Sequence, residues 1–143
     1  MIIYSHRVTQ WAQHVGISLP DLAAALAAWN ARAAWVFGST VRGDDVAGSD
    51  IDIAVITAPY GSGPSHPPMA FVVQARLPVE WHVWAQMSPP LQAEAVASGI
   101  CVFEATSGEA DRIAREVHKA WQRDAPARAA RRAAELADAQ PLT

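Results

Sequence analysis

Cysteine is almost absent. Cys101 stands alone in 143 residues, which excludes an internal disulfide framework and a cysteine-rich zinc site. Charge is scarce as well: 17% of residues are charged and the formal net charge is −3. Such a chain is no disordered polyelectrolyte and no general nucleic-acid coat, although a local basic patch stays open. No apolar run approaches the roughly 18 residues that a membrane span requires, so no membrane partner is expected. The opening Met1-Ile2-Ile3-Tyr4-Ser5-His6 shows no basic segment followed by an apolar stretch. No signal peptide is therefore expected, and the cytoplasm is the expected location. No internal repeat is visible.

Alanine is abundant instead, with 30 residues, and there are six tryptophans. Setting alanine aside leaves roughly 30% larger apolar residues, an ordinary globular content. The tryptophans read as core anchors in an alanine-rich interior rather than as a base-stacking platform. The length suits one domain over residues 1–143. Its core is expected at about 20–104, with a helical extension at about 107–139.

Local signals place the elements. Ser5 reads as the cap of a helix to about His14, with Gly16 as its stop. Pro20 and Asp21 suit the first turn of a second helix, in which Leu22, Leu26 and Trp29 share a face. Residues 34–37 form a short apolar strand ended by Gly38-Ser39. Residues 50–57 are β-branched and strand-like, and only one helical turn fits between the two strands. The Pro- and Gly-rich stretch 58–68 reads as a loop, and 69–76 reads equally as a short helix or a strand. Residues 79–85 alternate as a strand does. Ser88-Pro89-Pro90 opens a helix that Gly99 stops, and 100–103 form a further strand. Thr106 and Glu109 have capping-box spacing, ahead of the stripe Ala110, Ile113, Ala114, Val117, Trp121. Pro126 breaks or restarts this helix. The tail 127–139 is helical, with Leu136 as its one large apolar residue.

The chemistry concentrates between residues 38 and 53. Asp50 and Asp52 stand at i and i+2 of an expected strand, which puts both carboxylates on one face, while Ile51 and Ile53 face the core. Two such carboxylates repel unless a cation lies between them, and a divalent metal relieves the repulsion. Upstream, Gly38 permits close backbone approach. A helical turn starting at Ser39 would aim free N–H groups, with the serine hydroxyl, at a phosphate. Arg42 adds charge one turn later. One edge is a phosphate cradle and the other a metal pair, which together describe a metal-bound nucleoside triphosphate.

This segment, Gly38-Ser39, a short loop, then Ser49-Asp50-Ile51-Asp52-Ile53, resembles the signature of the DNA polymerase beta-like nucleotidyltransferase superfamily. By size it is most similar to the minimal nucleotidyltransferases of bacteria and archaea. The resemblance in element order covers about 20–104. It implies an α/β (α+β) fold: a small mixed sheet of four or five strands, helices packed mainly on one face, and C-terminal helices. It also implies a third carboxylate on a later strand, matched here by Glu80, one methylene longer than the usual aspartate.

The implied reaction is attack of an acceptor hydroxyl on the α-phosphorus of a nucleoside triphosphate, ATP foremost, with pyrophosphate leaving. Two Mg²⁺ ions, or Mn²⁺, would serve it. Asp50 and Asp52 would hold both ions. Glu80 would hold the catalytic one and help take the hydroxyl proton. Gly38, Ser39, Arg42 and Ser49 would contact the nucleotide. The implied acceptor is a protein or an RNA such as tRNA, and the implied setting is a toxin–antitoxin pair with a small helical partner, or a homodimer. The alternative is a catalytically weak antitoxin that acts by binding its helical partner. The glutamate in third place and the alanine-rich C-terminal helix fit that alternative.

Other candidates carry less. His82 alternates onto the Glu80 face, but a lone strand histidine is more commonly packed or exposed than a ligand. Asp44 and Asp45 read as turn residues. Arg123, Arg128, Arg131 and Arg132 form a basic stretch that suits a phosphate surface, a partner helix or a solvated face. Cys101 reads as an inert core thiol.

Overall fold

The computed structural model describes residues 4–57 and 73–139. The stretch 58–68 and much of 69–76, read above as a loop and an ambiguous element, lie outside the described residues.

The chain begins with helix α1, His6–Val15. The Ser5 hydroxyl accepts from the Val8 N–H, and Gly16 ends the helix in a left-handed conformation. Helix α2, Leu19–Ala28, is capped by Ser18 and has a proline in its first turn. It ends at Ala28. Asn30 takes φ 64°, and strand β1, Ala31–Phe37, starts at once. Alanines 31, 33 and 34 favour helix intrinsically, but β1 is hydrogen-bonded on both edges, and that tertiary pairing overrides propensity. The turn α3, Ser39–Arg42, leads to β2, Ile51–Thr57, and then to β3, Val79–Val83. One tight turn at Trp84–Gln86 precedes α4, Pro89–Ser98, and β4, Ile100–Glu104. Helices α5, Glu109–Arg123, and α6, Ala125–Asp138, complete the described chain. Among the described residues no helix is long and apolar enough to cross a membrane.

The four described strands form one mixed sheet in the order β3-β2-β1-β4. β1 runs antiparallel to β2 and β4, whereas β2 and β3 are parallel. Helices α1 and α2 cover one face, where Val8, Trp11, Leu22, Leu26 and Trp29 pack on Ala34, Val36, Ile51, Ile53 and Val55. On the other face Ala33, Trp35 and Ile56 meet Ala110 and Ile113 of α5. Phe37 and Ala54 meet Met87 and Ala95 there, the latter on α4. The helices thus divide between two faces, a correction to the expectation that they gather mainly on one. The reason is in the strands: β1 and β2 are apolar at nearly every position, and each face then requires cover.

The tryptophans anchor this core. Trp29 is almost fully buried and stands edge-on to Trp81 at 5.6 Å, and Trp35 lies beside Trp84 at 5.8 Å. Helix α6 behaves differently and buries none of its residues. Its tie to α5 includes Arg128, whose guanidinium lies 3.4 Å from the Trp121 ring centre.

The capping box expected at Thr106 does not form. Gly108 caps α5, and the Glu104 carboxylate accepts from the N–H groups of Gly108 and Ala110, at 3.3 and 3.1 Å. Glu109 turns instead to Arg32 on β1, which donates to it twice, at 3.0 and 2.7 Å. A charge-assisted pair outcompetes a backbone N–H as partner. Glu109 is only 7% exposed, so Arg32→Ala should strand a buried carboxylate. The expected loss in urea unfolding is about 2 kcal/mol, since Arg32 itself is partly solvated. A change below about 0.5 kcal/mol, the range of an ordinary surface substitution, would show the pair to be idle.

Candidate active site

Parallel pairing of β2 and β3 sets Asp52 opposite Glu80 and Ala54 opposite His82. Residues two apart on a strand share a face. Asp52, Glu80 and His82 therefore emerge together on the side that α4 covers, while Ile51, Ile53 and Trp81 face the opposite core. Each of the three offers a ligand atom, and these atoms lie within 4.8 Å of one another. His82 Nε2 is 2.9 Å from Asp52 Oδ1. The Asp52 and His82 side chains are 25% and 19% exposed, while Glu80 is open to solvent. The Phe37 ring packs on the imidazole with centroids 5.2 Å apart.

The Gly38 turn leans directly on this group. Gly38 has φ 84°, and a Cβ added there would stand 2.6 Å from Asp52 Oδ2. Only glycine satisfies both demands, the backbone conformation and the close approach. The following turn, α3, is held by Trp11 Nε1 donating to Thr40 Oγ1 at 3.2 Å in a buried site. The first N–H groups of such a turn have no partner within it. Gly38 follows Phe37, which pairs with Asp52, so the turn begins beside that carboxylate.

The remaining predicted residues are placed less centrally. β2 starts at Ile51, so Asp50 is an exposed residue just ahead of the strand and outside the group that Asp52, Glu80 and His82 make. A tight turn delays the strand: the Ser49 hydroxyl accepts from the Val46 N–H at 2.8 Å, and the Ser49 N–H donates to the Val46 carbonyl at 3.0 Å. Arg42 is exposed and reaches Asp44 at 3.4 Å and Glu94 at 3.3 Å. Asp45 pairs with His14 at 2.9 Å, so both loop aspartates tie down the turn. His82, ranked low in the sequence despite its two-residue spacing from Glu80, is brought by the fold to Asp52. A shallow depression beside it is also lined by Trp81, Gln86, Met87 and Leu91.

Two carboxylates and an imidazole at this spacing suit a divalent cation, which would offset the repulsion between Asp52 and Glu80. Cys101 stands apart from the site. Burial pushes its thiol up to about 11, which fits an inert sulfur.

The family model described as polymerase beta, nucleotidyltransferase matches residues 25–107, more than half of the chain. Among solved structures, the chain is similar to one described as a crystal structure of the toxin-antitoxin with AMP-PNP. The TM-score is 0.60 at 19% identity, covering 82% of this chain and 98% of that one. At that identity the likeness is one of fold. Among curated proteins nothing matches the sequence.

Two outcomes follow from the site and its surroundings. Gly38→Ala should lower stability by about 1–3 kcal/mol, because the residue must hold positive φ and its Cβ collides with Asp52. Chemical denaturation measures this, and an unchanged midpoint would disprove the close approach. Cys101 sets a pH dependence. Its folded pKa of about 11 lies above the thiol's ordinary 9.0, so deprotonation favours the unfolded chain. The thiol's contribution is intact below about pH 9 and is lost as pH climbs towards 11. Iodoacetamide at pH 8.5 should alkylate Cys101 far more slowly in the folded protein than in urea, and equal rates would contradict the burial.

Proposed function

Because the chain belongs to the polymerase beta nucleotidyltransferase family, we propose that its site moves a nucleoside monophosphate from a nucleoside triphosphate, ATP foremost, to a hydroxyl on a protein or an RNA. The observation that carries this reading is the convergence of three parts. Asp52 faces Glu80 across the parallel ladder, and the Gly38 turn passes so near the Asp52 carboxylate that a Cβ there would stand 2.6 Å from Oδ2.

Asp52 and Glu80 would hold Mg²⁺ or Mn²⁺, with Asp50 adding a carboxylate from the solvent side. A cation held there would supply charge to offset the phosphates and polarise the α-phosphorus. The chain's own groups do the rest. The Gly38-Ser39 turn and the Ser39 hydroxyl donate to phosphate oxygens, and Ser49 shapes the loop that borders them. Arg42 exchanges its exposed partners for phosphate, at low cost, since surface pairs contribute about 1 kcal/mol or less. The acceptor oxygen bonds to the α-phosphorus while the bond from the α-phosphorus to its bridging oxygen breaks, and pyrophosphate departs. A Glu80 carboxylate oxygen takes the hydroxyl proton.

A second reading, an antitoxin that acts by binding a small helical protein, is favoured by a different observation. Helix α6 buries nothing, and an apolar groove between α4 and α5, lined by Pro90, Ala93, Val96, Ala114 and Trp121, lies open. The similar fold in a toxin-antitoxin structure with AMP-PNP supports a partner under either reading, and the groove serves equally for a second copy of the chain.

Thermal unfolding with ATP, CTP, GTP or UTP, with and without Mg²⁺, separates the two readings. Ligand at a hundred times its dissociation constant should add about 2.7 kcal/mol. We expect a cation-dependent rise in melting temperature that Asp52→Asn abolishes. Absence of a shift with every nucleotide would overturn the transferase reading in favour of the binding one.

A further inference from the structure

His82 stands where a ligand would stand. Its Nε2, 2.9 Å from Asp52 Oδ1, points into the space that Asp52 and Glu80 share, and all three ligand atoms lie within 4.8 Å of one another. An octahedral ion with bonds of about 2.1 Å sets neighbouring donors about 3 Å apart and opposite donors about 4.2 Å apart. The Asp52–His82 separation already equals the edge of such a polyhedron, and a small rotation of the exposed Glu80 side chain closes the rest. The ring is fixed by the Phe37 contact and by the register that places His82 two residues beyond Glu80 on the same face. Without a cation, this edge is a hydrogen bond. With one, the Nε2 lone pair faces the ion and the ring keeps its proton on Nδ1.

Resting on the nucleotidyltransferase reading of this site, we infer that His82 Nε2 is a direct ligand of the cation that Asp52 and Glu80 hold, which biases the site from Mg²⁺ towards Mn²⁺. An all-carboxylate set suits the hard Mg²⁺ ion, whereas an imidazole nitrogen favours first-row transition ions. The rival role for His82 is positioning, in which its N–H merely orients Asp52.

Mn²⁺ serves as the probe, read by electron paramagnetic resonance titration and by nitrogen hyperfine modulation, on wild type, His82→Ala and His82→Gln. The expected result is nitrogen modulation in wild type that both variants lose. Mn²⁺ affinity should fall about ten-fold or more in both, and Mg²⁺ affinity, read by competition, should fall less. Glutamine is the discriminating variant, because its amide can still donate to Asp52. If His82→Gln restores Mn²⁺ affinity, or if wild type binds Mn²⁺ without nitrogen modulation, His82 is a positioning residue and the inference is overturned while the transferase reading stands. If wild type binds neither cation, with or without ATP, both fall. Circular dichroism on each variant separates lost binding from lost folding.

Discussion

The register between β2 and β3 is the constraint on which the rest depends. With Asp52 opposite Glu80, two acids share one face. A slip of one residue would send one of them into the core and turn an isoleucine or tryptophan outward. The apolar side of the same strands prevents that slip. Ile51, Ile53 and Val55 are sealed beneath α1 and α2, and Trp81 meets the buried Trp29 edge-on. Burying side chains of this size contributes about 1.5–3 kcal/mol each, so the core outweighs the repulsion of one carboxylate pair near the surface. The acids are held close by packing on the opposite face, not by mutual attraction.

Features set by a few adjacent residues were legible in the sequence, while those set by distant partners were not. The caps at Ser5 and Ser88, the stop at Gly16 and the turn after Gly38 are local, and the structure has them. The start of β1 was not legible. Alanine-rich 31–34 has no local preference for strand, and pairing with two neighbours decides its state. The box at Thr106 failed for the same reason, since Arg32, far away in sequence, offers Glu109 a better partner. The two-faced distribution of helices was written in the apolar runs 33–37 and 53–56 of β1 and β2, whereas the expectation of one covered face came from the resemblance.

The candidate site was legible in some of its residues and less so in their placement. Gly38, Asp52 and Glu80 converge. Asp50 does not join their group, because the Val46–Ser49 turn delays the strand by one residue. That is enough to move a side chain from a rigid ladder to a solvated approach. His82 was discounted because an isolated histidine carries little information. Its meaning comes from the neighbouring strand, and the pairing partner of 79–83 cannot be read from spacing within one strand.

The two halves of the site differ in stiffness. The acidic half rests on strands whose backbones are paired and whose far sides are buried. The half proposed for phosphate rests on a four-residue turn, tied to α1 through one buried hydrogen bond from Trp11 to Thr40 and bordered by exposed pairs at Arg42. Local stability follows packing, so the turn should adjust on ligand binding while the acids stay fixed. Gly38 joins the halves: a Cβ there would stand 2.6 Å from Asp52 Oδ2, so the turn has no room to move towards that carboxylate oxygen. Under the proposed reading, phosphate at the turn and a cation at the acids would therefore be coupled through a single glycine, and by linkage each would strengthen or weaken the other by the same factor.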